Sequence, residues 1–137
     1  MRDPRLRDED GNKQCRGCDS WLPEDAFSRN RRCSDGFAVY CGRCVRDEYL
    51  RRQYGITADQ YDTMADAQSG VCAICKAPDP AGKGLAVDHD HACCPDPAKS
   101  CGACVRGLLC WPCNVGLGHL RDDPTILSAA ATYLTAA

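Results

Sequence analysis

The sequence is short of the residues that build an apolar core. Leu, Ile, Val and Phe together number 21 of 137 residues, or 15%, below the share usual for a chain that folds on apolar burial alone. It lacks any run approaching the roughly 18 apolar residues of a membrane span. The opening stretch, Met1 to Asp10, has no apolar leader core. Neither charge predominates: 17 Lys and Arg stand against 19 Asp and Glu, too even a balance for a self-repelling disordered chain. The expectation is an intracellular, cytoplasmic protein in a reducing compartment, where thiols persist as thiolates. What the chain does have is cysteine, 13 residues in all, an odd number that suits a closed disulfide framework poorly.

Ten of these cysteines form five C-x-x-C pairs: Cys15/Cys18, Cys41/Cys44, Cys72/Cys75, Cys101/Cys104 and Cys110/Cys113. Cys33, Cys93 and Cys94 stand outside them. A C-x-x-C pair on a tight turn aims two sulfurs at one point, and two pairs complete a tetrahedral zinc site. One pair alone could be a redox motif, but five without a βαβ pattern favour zinc. Cys15/Cys18 with Cys41/Cys44 make a compact N-terminal ribbon or knuckle. Cys72/Cys75 can close with Cys101/Cys104 or with Cys110/Cys113, and spacing does not choose between them. Each four-thiolate zinc site carries −2 by charge count, making the folded protein more acidic than its formal −2.

Along the chain, residues 1–12 are charged and contain Pro4 and Gly11, the composition of a flexible tail. Residues 13–54 hold the N-terminal four-cysteine module, with Trp21, Leu22 and Phe27 to pack on it and a short basic helix from Val45 to Tyr54. Residues 55–137 form a second unit. There Thr57 and Gln60 make a T-x-x-Q capping box, with Ile56 and Tyr61 spaced as a hydrophobic staple, and Gly70 stops the helix. Leu85-Ala86-Val87 predicts a strand running into Asp88-His89-Asp90-His91, and Val105 to Leu109 its partner. Trp111 to Leu120 can be helical. Asp123 and Pro124 open a last helix whose Ile126, Leu127, Ala130, Tyr133 and Leu134 form one apolar stripe, expected to cover the small core.

A strand pair followed by a zinc-clamped helix can bring Asp88 and Asn114 to one hard cation through oxygen ligands. Magnesium suits such a sparse site, because it keeps several waters and accepts a phosphate oxygen as a further ligand. Histidine at position 89, beside that cation, suits a general base on water. Base, divalent ion and phosphodiester together suffice for metal-assisted hydrolysis.

Asp88-His89-Asp90-His91, then Val105-Arg106-Gly107-Leu108-Leu109-Cys110, then Cys113-Asn114, resemble the recombination endonuclease VII family of phages, His-Me finger or HNH-like nucleases with a ββα-metal motif. The Tyr54-Gly55-Ile56-Thr57 helix entry, the Val71-Cys72-Ala73-Ile74-Cys75 turn and the closing helix after Asp122-Asp123-Pro124 also resemble it, so the likeness runs from Tyr54 to Leu134. It implies a small α+β zinc-stabilised protein: a ββα-metal core, flanking helices and, outside the likeness, the N-terminal zinc module. It implies structural zinc on Cys72, Cys75, Cys110 and Cys113, catalytic magnesium or manganese on Asp88 and Asn114, and His89 as general base. His91 matches a family histidine near the scissile phosphate, and Arg106 is the candidate to hold that phosphate. The chain departs from the family in a hairpin insertion, 92–104, whose Cys93, Cys94, Cys101 and Cys104 could bind a third zinc, with His91 as a replacement ligand.

His119 has a weaker claim, lying about 140° round an ideal helix from Asn114. Arg29, Arg31, Arg32, Arg43, Arg46, Arg51 and Arg52 give the first 54 residues a slight basic bias, as readily a solvated face as a phosphate-binding one. The leading function is a phage-encoded, metal-dependent endonuclease acting on DNA, with branched or nicked DNA as candidate substrates. The alternative is a noncatalytic zinc module that binds nucleic acid or protein. No membrane partner is expected, and a homodimer is left open.

Overall fold

The computed structural model describes residue 3 and residues 6–136. The chain divides into two compact units, 1–53 and 54–137. Among the described residues no helix is long and apolar enough to cross a membrane.

In the first unit two short strands, β1 (Lys13–Gln14) and β2 (Trp21–Leu22), pair antiparallel around the Cys15/Cys18 turn. A 3-10 turn, Glu24–Ala26, follows, and then helix α1, Gly42–Tyr54, which begins three residues before the predicted Val45. Cys15, Phe27, Phe37 and Cys41 are buried together, with Leu22, Ala26 and Cys44 packed against them. A core of four residues, two of them cysteines, is too small to hold a fold by apolar burial alone. The tail expected over 1–12 lies partly outside the described residues. Its later part is bonded in: Arg7 bridges to Lys13, and its guanidinium reaches Glu24 at 2.9 Å and Asp35 at 3.2 Å. Lys13, almost wholly buried, pairs with the equally buried Asp35.

The second unit opens with helix α2, Ala58–Ala67. Its predicted capping box is present: the Thr57 hydroxyl accepts from Gln60 N–H at 3.0 Å, and the Gln60 side chain accepts from Thr57 N–H at 2.7 Å. Strands β3 (Ala86–His89) and β4 (Val105–Leu109) form an antiparallel hairpin, and α3 (Trp111–His119) follows directly, giving the β-β-α order. Tyr61 Oη donates to Leu85 C=O at 2.6 Å, tying α2 to the entrance of β3. Gln68, the C-cap of α2, serves as a strand edge. Its amide nitrogen donates to Leu108 C=O at 2.8 Å and its oxygen accepts from Leu108 N–H at 2.9 Å. That satisfies both backbone groups of the most deeply buried residue of β4.

Helix α4, Pro124–Thr135, is capped by Asp123, whose carboxylate accepts from Thr125 N–H at 2.8 Å. The apolar stripe on α4 departs from expectation. Ile126, Leu127 and Ala130 are half-buried, but Tyr133 and Leu134 are 82% and 77% exposed, so only the first half of the helix covers the core.

Candidate metal centres and active site

Three groups of four sulfurs gather, each with all sulfurs within 4.8 Å of one another: Cys15/18/41/44, Cys72/75/110/113 and Cys93/94/101/104. Individual separations are 3.7 Å for Cys15–Cys44, 3.7 Å for Cys75–Cys110 and 3.9 Å for Cys93–Cys101. A tetrahedron with zinc–sulfur bonds of about 2.3 Å has edges of about 3.8 Å, whereas a disulfide is about 2.05 Å long. The donor sets fit zinc.

The electrostatics point the same way. Burial alone would raise the Cys72 thiol, but backbone N–H groups of Cys110, Cys75 and Ile74 outweigh it and bring it down to about 6. Cys113 is pushed up to about 12 by burial and by its bonds to the neighbouring sulfurs. Cys15 is likewise lowered to about 6 against its burial by N–H groups of Cys41, Cys18 and Gly17, while Cys44 is raised by burial and by the other sulfurs. Four thiols this close cannot all ionise without a cation among them.

The second cluster brings the turn after α2 to Cys110, the N-cap of α3, and to Cys113 in its first turn. Ala73 N–H in that turn donates to Leu108 C=O of β4 at 3.1 Å, so zinc on these four sulfurs would hold the start of α3 against the hairpin. Asn114 follows Cys113 and is half-buried. Leu117 and Gly118, three and four residues on and so on the same helix face, line two clefts beside the hairpin. One, of about 280 Å³, includes Asp88, Arg106 and Leu117; the other, of about 270 Å³, includes Asp90, His91, Arg106, Gly118, Arg121 and Asp122.

Arg106 enters both clefts because of an irregularity in the ladder. Asp88 pairs with Gly107 and His89 with Val105, leaving Arg106 as the extra residue of a bulge. A bulge re-aims the side chain it carries. The Arg106 guanidinium grips Asp88 with two bonds, Nε to Oδ2 at 2.7 Å and Nη2 to Oδ1 at 3.0 Å. In this structure the first partner of Arg106, the candidate phosphate contact, is Asp88, the expected metal ligand. The charge of Arg106 is reinforced chiefly by Asp88, with Asp122 and Asp90 adding at longer range. The carboxylate oxygens in this acid-rich corner are hard donors that suit magnesium or manganese.

His89 is 2% exposed. Its Nε2 lies 3.2 Å from both Cys94 C=O and Asp96 C=O. Two carbonyls can only accept, so Nε2 carries the hydrogen and, in the neutral ring, Nδ1 is left as the acceptor. His91 sits edge-on to His89 at 4.7 Å between ring centroids. It stands outside the third sulfur cluster, with Nδ1 3.2 Å from Asp122 Oδ2. That oxygen is buried and lacks a well-aligned hydrogen bond, with Arg106 Nη2 3.5 Å away. Asp122 is not among the site residues that the sequence patterns single out. Its signal was the doubled acid Asp122-Asp123, of which only Asp123 is needed as the cap. His119, at the end of α3, is exposed.

The profile of the family described as recombination endonuclease VII matches residues 47–136. The chain belongs to this family. Two curated relatives, each a "Gene 59 protein", come from Mycobacterium phage D29 and Mycobacterium phage L5. They are 42% and 40% identical over 82 residues, which is 59% of this chain and 44% of theirs. The chain therefore spans less than half the length of these relatives. Among solved structures it is similar to the beta-beta-alpha-Me type II restriction endonuclease Hpy99I. That likeness has 22% identity and a TM-score of 0.37, covering 98% of this chain and 71% of that one.

Proposed function

We propose that this member of the endonuclease VII family is a metal-dependent DNA endonuclease with His89 as its general base. The observation that carries the proposal is the buried His89 ring, anchored through Nε2 on two carbonyls and so left with Nδ1 as its basic atom. Asp88 and Asn114 are the residues to hold magnesium or manganese. A divalent ion bound there supplies positive charge against the charge that grows on the leaving oxygen.

The chain's own part is proton transfer and positioning. Neutral His89 accepts a proton from water at Nδ1, and the resulting hydroxide forms the new bond to phosphorus. The 3′-oxygen leaves on the opposite side with the bonding electrons, so the ends are 5′-phosphate and 3′-hydroxyl. Arg106 and His91 line the cleft where a phosphate would lie and are its proposed contacts. Zinc in the first two cysteine clusters is structural. The phage origin of the relatives supports a phage-encoded enzyme, for which branched or nicked DNA is a reasonable first substrate.

The test is plasmid nicking with added magnesium or manganese, alongside zinc content by elemental analysis. His89→Ala is expected to keep its zinc and its DNA binding while cleavage falls by roughly 10²–10⁴-fold, the usual contribution of a positioned base. Asp88→Ala should weaken the dependence on magnesium itself. A His89→Ala chain that cuts as fast as the parent removes the assignment, and a parent that binds DNA without cutting favours a noncatalytic zinc module.

A further inference from the structure

The segment joining β3 to β4 contains no strand or helix, and none of residues 92–104 is buried. Apolar burial therefore does nothing to fold it. What organises it is sulfur: Cys93 and Cys94 at one end meet Cys101 and Cys104 at the other. Sulfur separations are 3.9 Å for Cys93–Cys101 and 3.9 Å for Cys101–Cys104, and Cys101 N–H donates to Cys94 Sγ at 3.3 Å. The far end is seated by backbone contact. A Cβ on Gly102 would come within 2.4 Å of Gly55 O, and both glycines have positive φ, so the two backbone segments meet where neither tolerates a side chain.

This loop supplies both partners of the His89 ring. One carbonyl belongs to Cys94, a member of the cluster, and the other to Asp96, within the stretch that the sulfurs close. A histidine's tautomer and ring direction are set by what its other nitrogen bonds. If the four thiols part, residues 94–101 regain the freedom of a polar loop and the two carbonyls leave the ring.

We propose that the third cysteine cluster binds zinc and acts as a clamp on His89, fixing the Nε2–H tautomer through the Cys94 and Asp96 carbonyls. The cluster is a positioning device set apart from the other two. Each of those includes two buried cysteines, whereas all four here reach the surface, so this ion is the first to exchange with solution. The consequence for cleavage rests on the reading of His89 as the base; the clamp itself does not.

The experiment uses the full chain with Cys101→Ser and Cys104→Ser together. Three measurements are made at one pH: zinc per chain, the ring nitrogen resonances of His89 (assigned by their loss in His89→Gln), and plasmid nicking. The expected result is a fall from three zinc ions to two, loss of the fixed Nε2–H pattern, and nicking reduced by about 10–100-fold, as for outer residues that orient a working histidine. A parent holding only two zinc ions, or a variant with two ions and an unchanged His89 spectrum, overturns the clamp. A changed spectrum with unchanged nicking upholds the clamp and removes His89 as the base. Should the double variant not fold, the parent is titrated with a thiol-binding mercurial while zinc release is followed by an indicator. The clamp requires the His89 pattern to change with the first equivalent released, and a change only with later equivalents overturns it.

Discussion

Replacing Arg106 by alanine should move metal affinity and cleavage in opposite directions. The Arg106 guanidinium occupies both oxygens of Asp88, at 2.7 and 3.0 Å, so a cation that uses Asp88 must first displace it. The Asp88 side chain is 10% exposed and that of Arg106 is 41% exposed. A fully desolvated charge-assisted bond contributes about 1.5–3 kcal/mol, and an exposed pair about 0.2–1 kcal/mol. This bidentate but partly wetted pair falls between, at about 1–2 kcal/mol, which corresponds to roughly a 5–30-fold change in affinity. Arg106→Ala should therefore bind manganese about 5–30-fold more tightly, read by calorimetry or electron paramagnetic resonance on the zinc-loaded chain. Nicking should nevertheless slow, because a cationic phosphate contact is lost. Unchanged or weaker manganese binding would refute the competition, and with it either the role of Asp88 as a ligand or the strength of the Arg106 grip.

Cys72→Ser or Cys113→Ser should unfold the second unit instead of merely slowing it, since this cluster pins α3 to the hairpin; circular dichroism with zinc analysis checks this, and a folded, zinc-poor variant would contradict it. Asp35→Asn should destabilise the first unit by about 3–5 kcal/mol, because it removes the buried carboxylate charge that Lys13 pairs with. Urea unfolding of the zinc-loaded chain measures it, and a loss below about 1 kcal/mol would mean the pair is effectively solvated. Gln68→Ala should cost about 1–3 kcal/mol by leaving Leu108 N–H unpaired in the interior, again read by urea unfolding. Gln68→Glu should recover part of this, since its carboxylate can accept from Leu108 N–H while Leu108 C=O keeps the Ala73 N–H at 3.1 Å.

Local chemistry was legible in the sequence. The Thr57/Gln60 box, the Asp123 cap, the strands flanking the insertion and the tight C-x-x-C turns depend on residues within a few positions of one another. So does the Asp88-His89 dipeptide, which alternates across a strand whatever the rest of the chain does. That the cysteines would gather into sets able to hold zinc was legible as well, because so few large apolar residues leave little else to hold a fold together. Which thiols meet was another matter. Spacing left Cys72/Cys75 two partners, family likeness named Cys110/Cys113, and the tertiary arrangement brings those four together while leaving Cys101/Cys104 to Cys93/Cys94. The tertiary structure also decided what no pattern encodes: the bulge that turns Arg106 onto Asp88, the Gln68 amide on Leu108, Asp122 beside His91, and the carbonyls on His89. Each depends on strand register or on the closure of a loop. Register shifts of one residue reverse which side chain faces the site, and loop closure joins groups whose separation along the chain gives no sign of contact. The open end of α4 is a further case: its stripe is amphipathic by sequence, yet Tyr133 and Leu134 stay exposed.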